Sequence, residues 1–117
     1  MKKDNIVQTK SYAFAIRIIK IYQFLCENKK EFVLSKQLLR CGTSVGANIE
    51  EAIGAQSDKD FYAKLTIAYK EARETHYWIR LLKDTDYLTE VEYKSLLKDI
   101  DELLRIIGSI QKTLRNS

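Results

Sequence analysis

The chain has 117 residues, 45% of them apolar and 31% charged, which fits one domain, residues 1–117, built around a single core. Its 20 basic and 16 acidic residues leave a net charge of +4, a modest excess that suits contact with nucleic acid and excludes a histone-like tail. Cys26 and Cys41 lie in apolar helical patterns and outside any Cys-x-x-Cys or Cys/His cluster, so redox and zinc chemistry are not indicated and both read as reduced core residues.

Proline is absent, and apolar residues recur at helical spacing almost throughout. The N-terminal Met1-Lys2-Lys3 is followed by Asp4 and Asn5 instead of an apolar run, and Arg17 and Lys20 interrupt the stretch from Tyr12 to Cys26. Neither a secretion signal nor a membrane span is expected, and the reading is cytoplasmic. The first helix is predicted over about residues 9–27. Phe14, Ile18, Ile21 and Leu25 form one stripe on it, with Ala15, Ile19, Tyr22 and Cys26 beside them. So broad an apolar sector means either a central, well-covered helix or burial against both its own bundle and another subunit.

Asn28-Lys29-Lys30-Glu31 breaks the pattern, and Ser35 offers a capping oxygen for a second helix over about residues 35–53. Gly54 is expected to close it in the left-handed conformation. Ser57 and Asp60 have cap-like Ser-x-x-Asp spacing at the start of a third helix, about residues 58–83. Thr89-Glu90-Val91-Glu92 carries capping-box spacing and opens a fourth, about residues 90–114. There Tyr93, Ile100, Ile107 and Leu114 repeat every seven residues, with leucines and isoleucines between them, the pattern of a bundle seam. The prediction is an all-α, antiparallel up-and-down four-helix bundle.

The second helix contains two interior glycines, Gly42 and Gly46, each costing about 1 kcal/mol relative to alanine. Four residues apart and extended by Leu39, Ile49 and Ile53, they predict backbone-close packing against another helix, within the bundle or across an oligomer interface. Ser44, Asn48 and Glu51 form a polar stripe beside them. If that stripe is buried, an arginine of the third helix such as Arg73 is the expected partner; otherwise it is a solvated or interfacial face.

Catalytic patterns find little support, and no catalytic, cofactor-binding or metal-ligating residue is assigned. A di-iron bundle needs Glu-x-x-His on two helices, whereas this chain has a single histidine, His76. Gly42-x-x-x-Gly46 lacks the Lys-Ser/Thr of a phosphate loop and lies inside a predicted helix. A small ribonuclease using His76 is the least favoured alternative, since a general base needs an orienting partner. The stronger pattern is charge with aromatic rings between. Lys59, Lys70, Arg73 and Arg80 share a broad stripe of the third helix, and Lys94, Lys98, Arg105 and Lys112 line the fourth, interrupted by Asp101. These cations are candidates for nucleic-acid phosphates. Tyr62, Tyr69 and Tyr77 are candidates for stacking on bases or for anchoring a protein interface.

The run from Leu39 to Ala52, then Gly54-Ala55-Gln56-Ser57 and Asp60-Phe61, closely resembles the 23S rRNA intervening-sequence proteins. Lys64-Leu65-Thr66-Ile67-Ala68, Lys70 to Thr75, Tyr77-Trp78 and Arg80-Leu81-Leu82 resemble that family's third helix. The resemblance implies small bacterial cytoplasmic four-helix proteins, some encoded within ribosomal RNA genes, that assemble as ring-like homo-pentamers. It also implies kinship with the accessory variability determinants of diversity-generating retroelements, whose basic ring surface is implicated in binding nucleic acid and a reverse transcriptase. RNA or DNA and a reverse transcriptase-like protein are therefore the partners it suggests. Asp86 stands where relatives often have glycine, and aspartate tolerates the left-handed conformation that such a turn requires. The expected function is a non-enzymatic oligomeric adaptor or scaffold binding nucleic acid; the alternative is a structural homo-oligomer or protein-partner adaptor without it.

Overall fold

The computed structural model describes the backbone of residues 2–116 and the side chains of residues 6–116. It contains α1 (Lys2–Lys29), α2 (Leu34–Ile53), α3 (Asp58–Asp84) and α4 (Glu90–Arg115). Short connections make consecutive helices antiparallel neighbours, and α1 returns beside α4 to complete an up-and-down bundle. Its long dimension of 46 Å is close to the ~40 Å span of a 27-residue helix. Ile18, Leu38, Ile49, Leu65, Ile100 and Leu103 bring all four helices into one buried core.

The first helix begins earlier than expected. Val7 is buried one turn ahead of Ser11 and Phe14, so the core-facing row starts before Thr9. Nor is α1 a well-covered central helix: Tyr12, Ile16 and Ile19 are 64%, 42% and 41% exposed, on the side away from Ile18. Cys26 is only half-buried, whereas Cys41 is in the core; both are free thiols. Burial pushes the Cys41 thiol up to about 11, which keeps it protonated and unreactive.

The start of α2 is capped by a residue other than the expected one. Ser35 lies inside the helix, fully buried, and its hydroxyl donates to the Glu31 carbonyl at 2.7 Å. The Glu31 carboxylate takes the capping role, accepting from the amides of Val33, Leu34 and Ser35 at 3.3, 2.9 and 2.8 Å. Lys30, at φ 54°, turns the chain so that Glu31 can reach back over those amides. Burial alone would raise the Glu31 pKa, but the three amides outweigh it and hold the carboxyl below its ordinary value.

Glu31→Gln is therefore expected to cost about 1 kcal/mol at neutral pH, the scale of a lost N-cap. Because the folded pKa is depressed, the carboxylate's contribution is complete above the ordinary value of 4.5 and disappears as pH falls through the lower folded value. Thermal melts of both proteins down an acid series should converge. A constant gap between them would show that Glu31 ionisation does not support the helix.

The other ends follow simple rules. Gly54 closes α2 at φ −87°, without the left-handed turn expected of it, because its amide still reaches the Glu50 carbonyl at 3.2 Å. Ser57 Oγ accepts from the Asp60 amide, and Thr89 and Glu92 complete the capping box of α4. Asp86 adopts φ 69°, the left-handed turn residue between α3 and α4.

Candidate nucleic-acid interface

The five-residue turn after α3 sets an antiparallel register that is readable from its cross-links. Lys83 Nζ lies 3.4 Å from Glu90, His76 Nε2 3.4 Å from Asp101, and Gln111 Nε2 donates to Thr66 Oγ1 at 3.0 Å. Farther along, Arg115 Nη1 donates to Tyr62 Oη at 2.9 Å. These contacts mark the α3/α4 groove. Residues just outside it on either helix therefore share one face of the bundle.

That face holds cations with few neutralising partners. Acidic residues engage Lys10, Arg17, Arg40, Lys64 and Lys83, none of them a predicted phosphate contact. Among the described residues, Lys59, Lys70, Arg73 and Arg80 on α3, and Lys98, Arg105 and Lys112 on α4, make no ion pair with a carboxylate. All seven are exposed. Lys94 is the exception, 3.8 Å from Glu90 one turn earlier on its own helix.

The three tyrosines separate. Tyr69 packs against the core and lies beside Gly108, where a methyl group would come within 3.6 Å of its ring, so it is a packing residue. Tyr62 is half-buried and holds Arg115. Tyr77 alone of the three is exposed, at 47%, and its ring meets Trp78 edge-on with centroids 5.2 Å apart.

Around Tyr77 the structure assembles a group that residue spacing did not reveal. Arg80 Nε donates to His76 Nδ1 at 3.1 Å, and the Arg80 guanidinium carbon lies 5.8 Å from the centre of the Tyr77 ring. Asp101 read as an interruption of the α4 stripe; it is instead the carboxylate facing His76. Arg73, His76, Tyr77, Arg80 and Leu104 border a shallow hollow of about 480 Å³, together with the carboxylates of Glu74 and Asp101. The antiparallel register was the available signal, since the register that sets Tyr62 beside Arg115 and Thr66 beside Gln111 also sets His76 beside Asp101.

A family model described as 23S rRNA-intervening sequence protein matches residues 3–109. The chain belongs to that family. It is similar to a crystal structure of a protein with unknown function from the S23 ribosomal protein family of Bacteroides thetaiotaomicron VPI-5482. The two are 54% identical, with a TM-score of 0.93 over 94% of this chain and 98% of that one. No curated protein matches it. Among the described residues, no helix is long and apolar enough to cross a membrane.

In this 23S rRNA-intervening sequence protein, the polar stripe of α2 is not the buried network with Arg73 that its pattern allowed. Ser44 Oγ donates to the Arg40 carbonyl at 2.7 Å, Asn48 Nδ2 to the Ser44 carbonyl at 2.9 Å, and Glu51 pairs with Lys64 at 3.6 Å. The arginine that joins α2 to α3 is Arg40, which pairs with Glu71 and Glu74. Glu74 also accepts from Trp78 Nε1 at 3.0 Å. Both acids are thereby committed to structure, and Arg73 makes no ion pair with a carboxylate among the described residues.

Proposed function

We propose that this intervening-sequence protein is a non-enzymatic, oligomeric scaffold that binds nucleic acid through its α3/α4 face. The carrying observation is the set of seven exposed cations on that face without carboxylate partners. An unpaired cation releases counterions from a phosphate backbone without first breaking an internal ion pair. A net charge of +4 gives one chain a weak patch. Repetition around a ring of copies, the pentamer implied by resemblance, would raise its effect through local concentration. The exposed Tyr12, Ile16 and Ile19 of α1 supply an apolar stripe for such assembly, on a helix other than the cationic pair. A scaffold role is favoured over ribonuclease chemistry because the chain has a single histidine and its Nδ1 is already occupied by the Arg80 Nε donor at 3.1 Å.

Fluorescence anisotropy with structured RNA and DNA across about 50–200 mM salt tests this reading. Binding should weaken steeply with salt, and reversing charge at Arg73 and Arg80 together should weaken it at least about tenfold at low salt. No binding at the lowest salt, or binding indifferent to charge reversal, would reject the nucleic-acid role and leave the structural homo-oligomer.

A further inference from the structure

The proposed face contains one group that is organised, not merely charged. His76 Nδ1 accepts from Arg80 Nε at 3.1 Å, and the other ring nitrogen, Nε2, lies 3.4 Å from Asp101 Oδ1. Asp101 and His76 thus form a chain across the groove that ends on Arg80. Tied by Nε and lying by the ring of Tyr77, the guanidinium is restricted in orientation. Its two terminal nitrogens have no protein acceptor among the described residues. Two parallel N–H donors fixed in one plane match two oxygens of a phosphodiester.

Arg73 lies two helical turns before Arg80, about 10.5 Å along the α3 axis, close to the spacing of three nucleotides stacked at about 3.4 Å. Tyr77 stands between them on the same side of the helix, its ring exposed among the cations. A buried base pair cannot offer its face to that ring, whereas an unpaired base can.

We infer that Arg80, positioned by His76 and Asp101, is a bidentate clasp for one phosphodiester of a single-stranded nucleic acid, with Tyr77 stacking on a base and Arg73 meeting a second phosphate. This assignment rests on the nucleic-acid reading above and specifies its ligand as an unpaired strand. His76 touches no phosphate in this arrangement; it is a positioning residue, and no bond is made or broken.

The test compares a short labelled single strand, as oligo(dT) and as oligo(U), with a duplex of equal length, using full-length protein. Arg80 is exposed, so Arg80→Lys retains fold and charge while removing the fork. It should weaken single-strand binding about tenfold with little change in salt dependence. His76→Phe should cause a similar loss by freeing Arg80, and His76→Gln, whose amide oxygen can accept from Nε, should restore binding. Tyr77→Ser should weaken both single strands more than the duplex. Circular dichroism melts confirm that the variants fold.

Wild-type affinity in Arg80→Lys, with Arg73 and Arg80 charge reversal still harmful, would overturn the clasp and leave a diffuse basic patch. Wild-type affinity in His76→Phe alone would overturn the positioning chain. A duplex bound as tightly as both single strands would overturn the choice of ligand. Failure of the wild-type protein to bind any of the three at low salt would overturn the clasp and the broader reading together.

Discussion

Gly46→Leu is expected to lower the thermal midpoint by about 10 °C or more, because the α1–α2 contact has no room for a side chain and no atom free to yield. A Cβ at Gly46 would lie 3.2 Å from the Ser11 carbonyl oxygen, a backbone atom of α1 that cannot change rotamer. At Gly42 it would lie 2.9 Å from both Cγ atoms of Ile18, a fully buried β-branched side chain. Leucine recovers up to about 1 kcal/mol of helix propensity, whereas overpacking costs about 1–3 kcal/mol and more where backbones must part. Packing wins, and the two sites then differ in what can relieve them. Ile18→Ala should remove much of the penalty of Gly42→Ala, so the double variant is less destabilised than the sum, while no side-chain deletion should rescue Gly46→Leu. Melts at matched protein concentration decide it. A Gly46→Leu midpoint equal to wild type would show that α1 and α2 are not held at this distance.

Paired substitution of Ile16 and Ile19 by glutamate should convert an assembled wild-type protein into a single chain, measured by light scattering after gel filtration. Both side chains are exposed on α1, with Tyr12 one turn before Ile16, and neither contributes to the buried core. Two charges introduced there oppose like charges on a neighbouring copy and lose apolar area at the contact. Helix content should be unchanged, since glutamate is a good helix former and the core row of Val7, Phe14, Ile18 and Leu25 is untouched. A wild-type protein that is already monomeric at micromolar concentration would remove the oligomeric part of the proposal. An assembly that survives the two glutamates would move the interface elsewhere.

The helices were legible because their local rules agree with the packing. Thr89 with Glu92 marks a helix start whatever surrounds it, and the heptad row of α4 places Ile100 and Ile107 in the core as expected. The start of α2 was less readable: Ser35 has the chemistry of a cap, but Lys30 turns the chain so that Glu31 reaches the amides first. Cations were recognisable by periodicity, yet whether each is neutralised depends on three-dimensional neighbours. Lys94 and Arg73 look alike in the sequence, but among the described residues Lys94 makes an ion pair with a carboxylate and Arg73 does not. His76 could not be paired in the sequence, and the carboxylate that faces it, Asp101, stands twenty-five positions away on the next helix.

The seam between α1 and α4 is the thinnest in the bundle, and Lys10 with Glu102 and Arg17 with Asp99 fasten it. Such half-exposed pairs contribute little individually and are screened by added ions. Ionic strength therefore pulls this molecule in opposing directions: it loosens the electrostatic closure of its own helices and any hold on phosphate, while apolar contact through α1 is spared or strengthened. A concentrated salt solution favours copies joined to one another over copies joined to a polyanion, and the balance between those two attachments becomes a property of the medium.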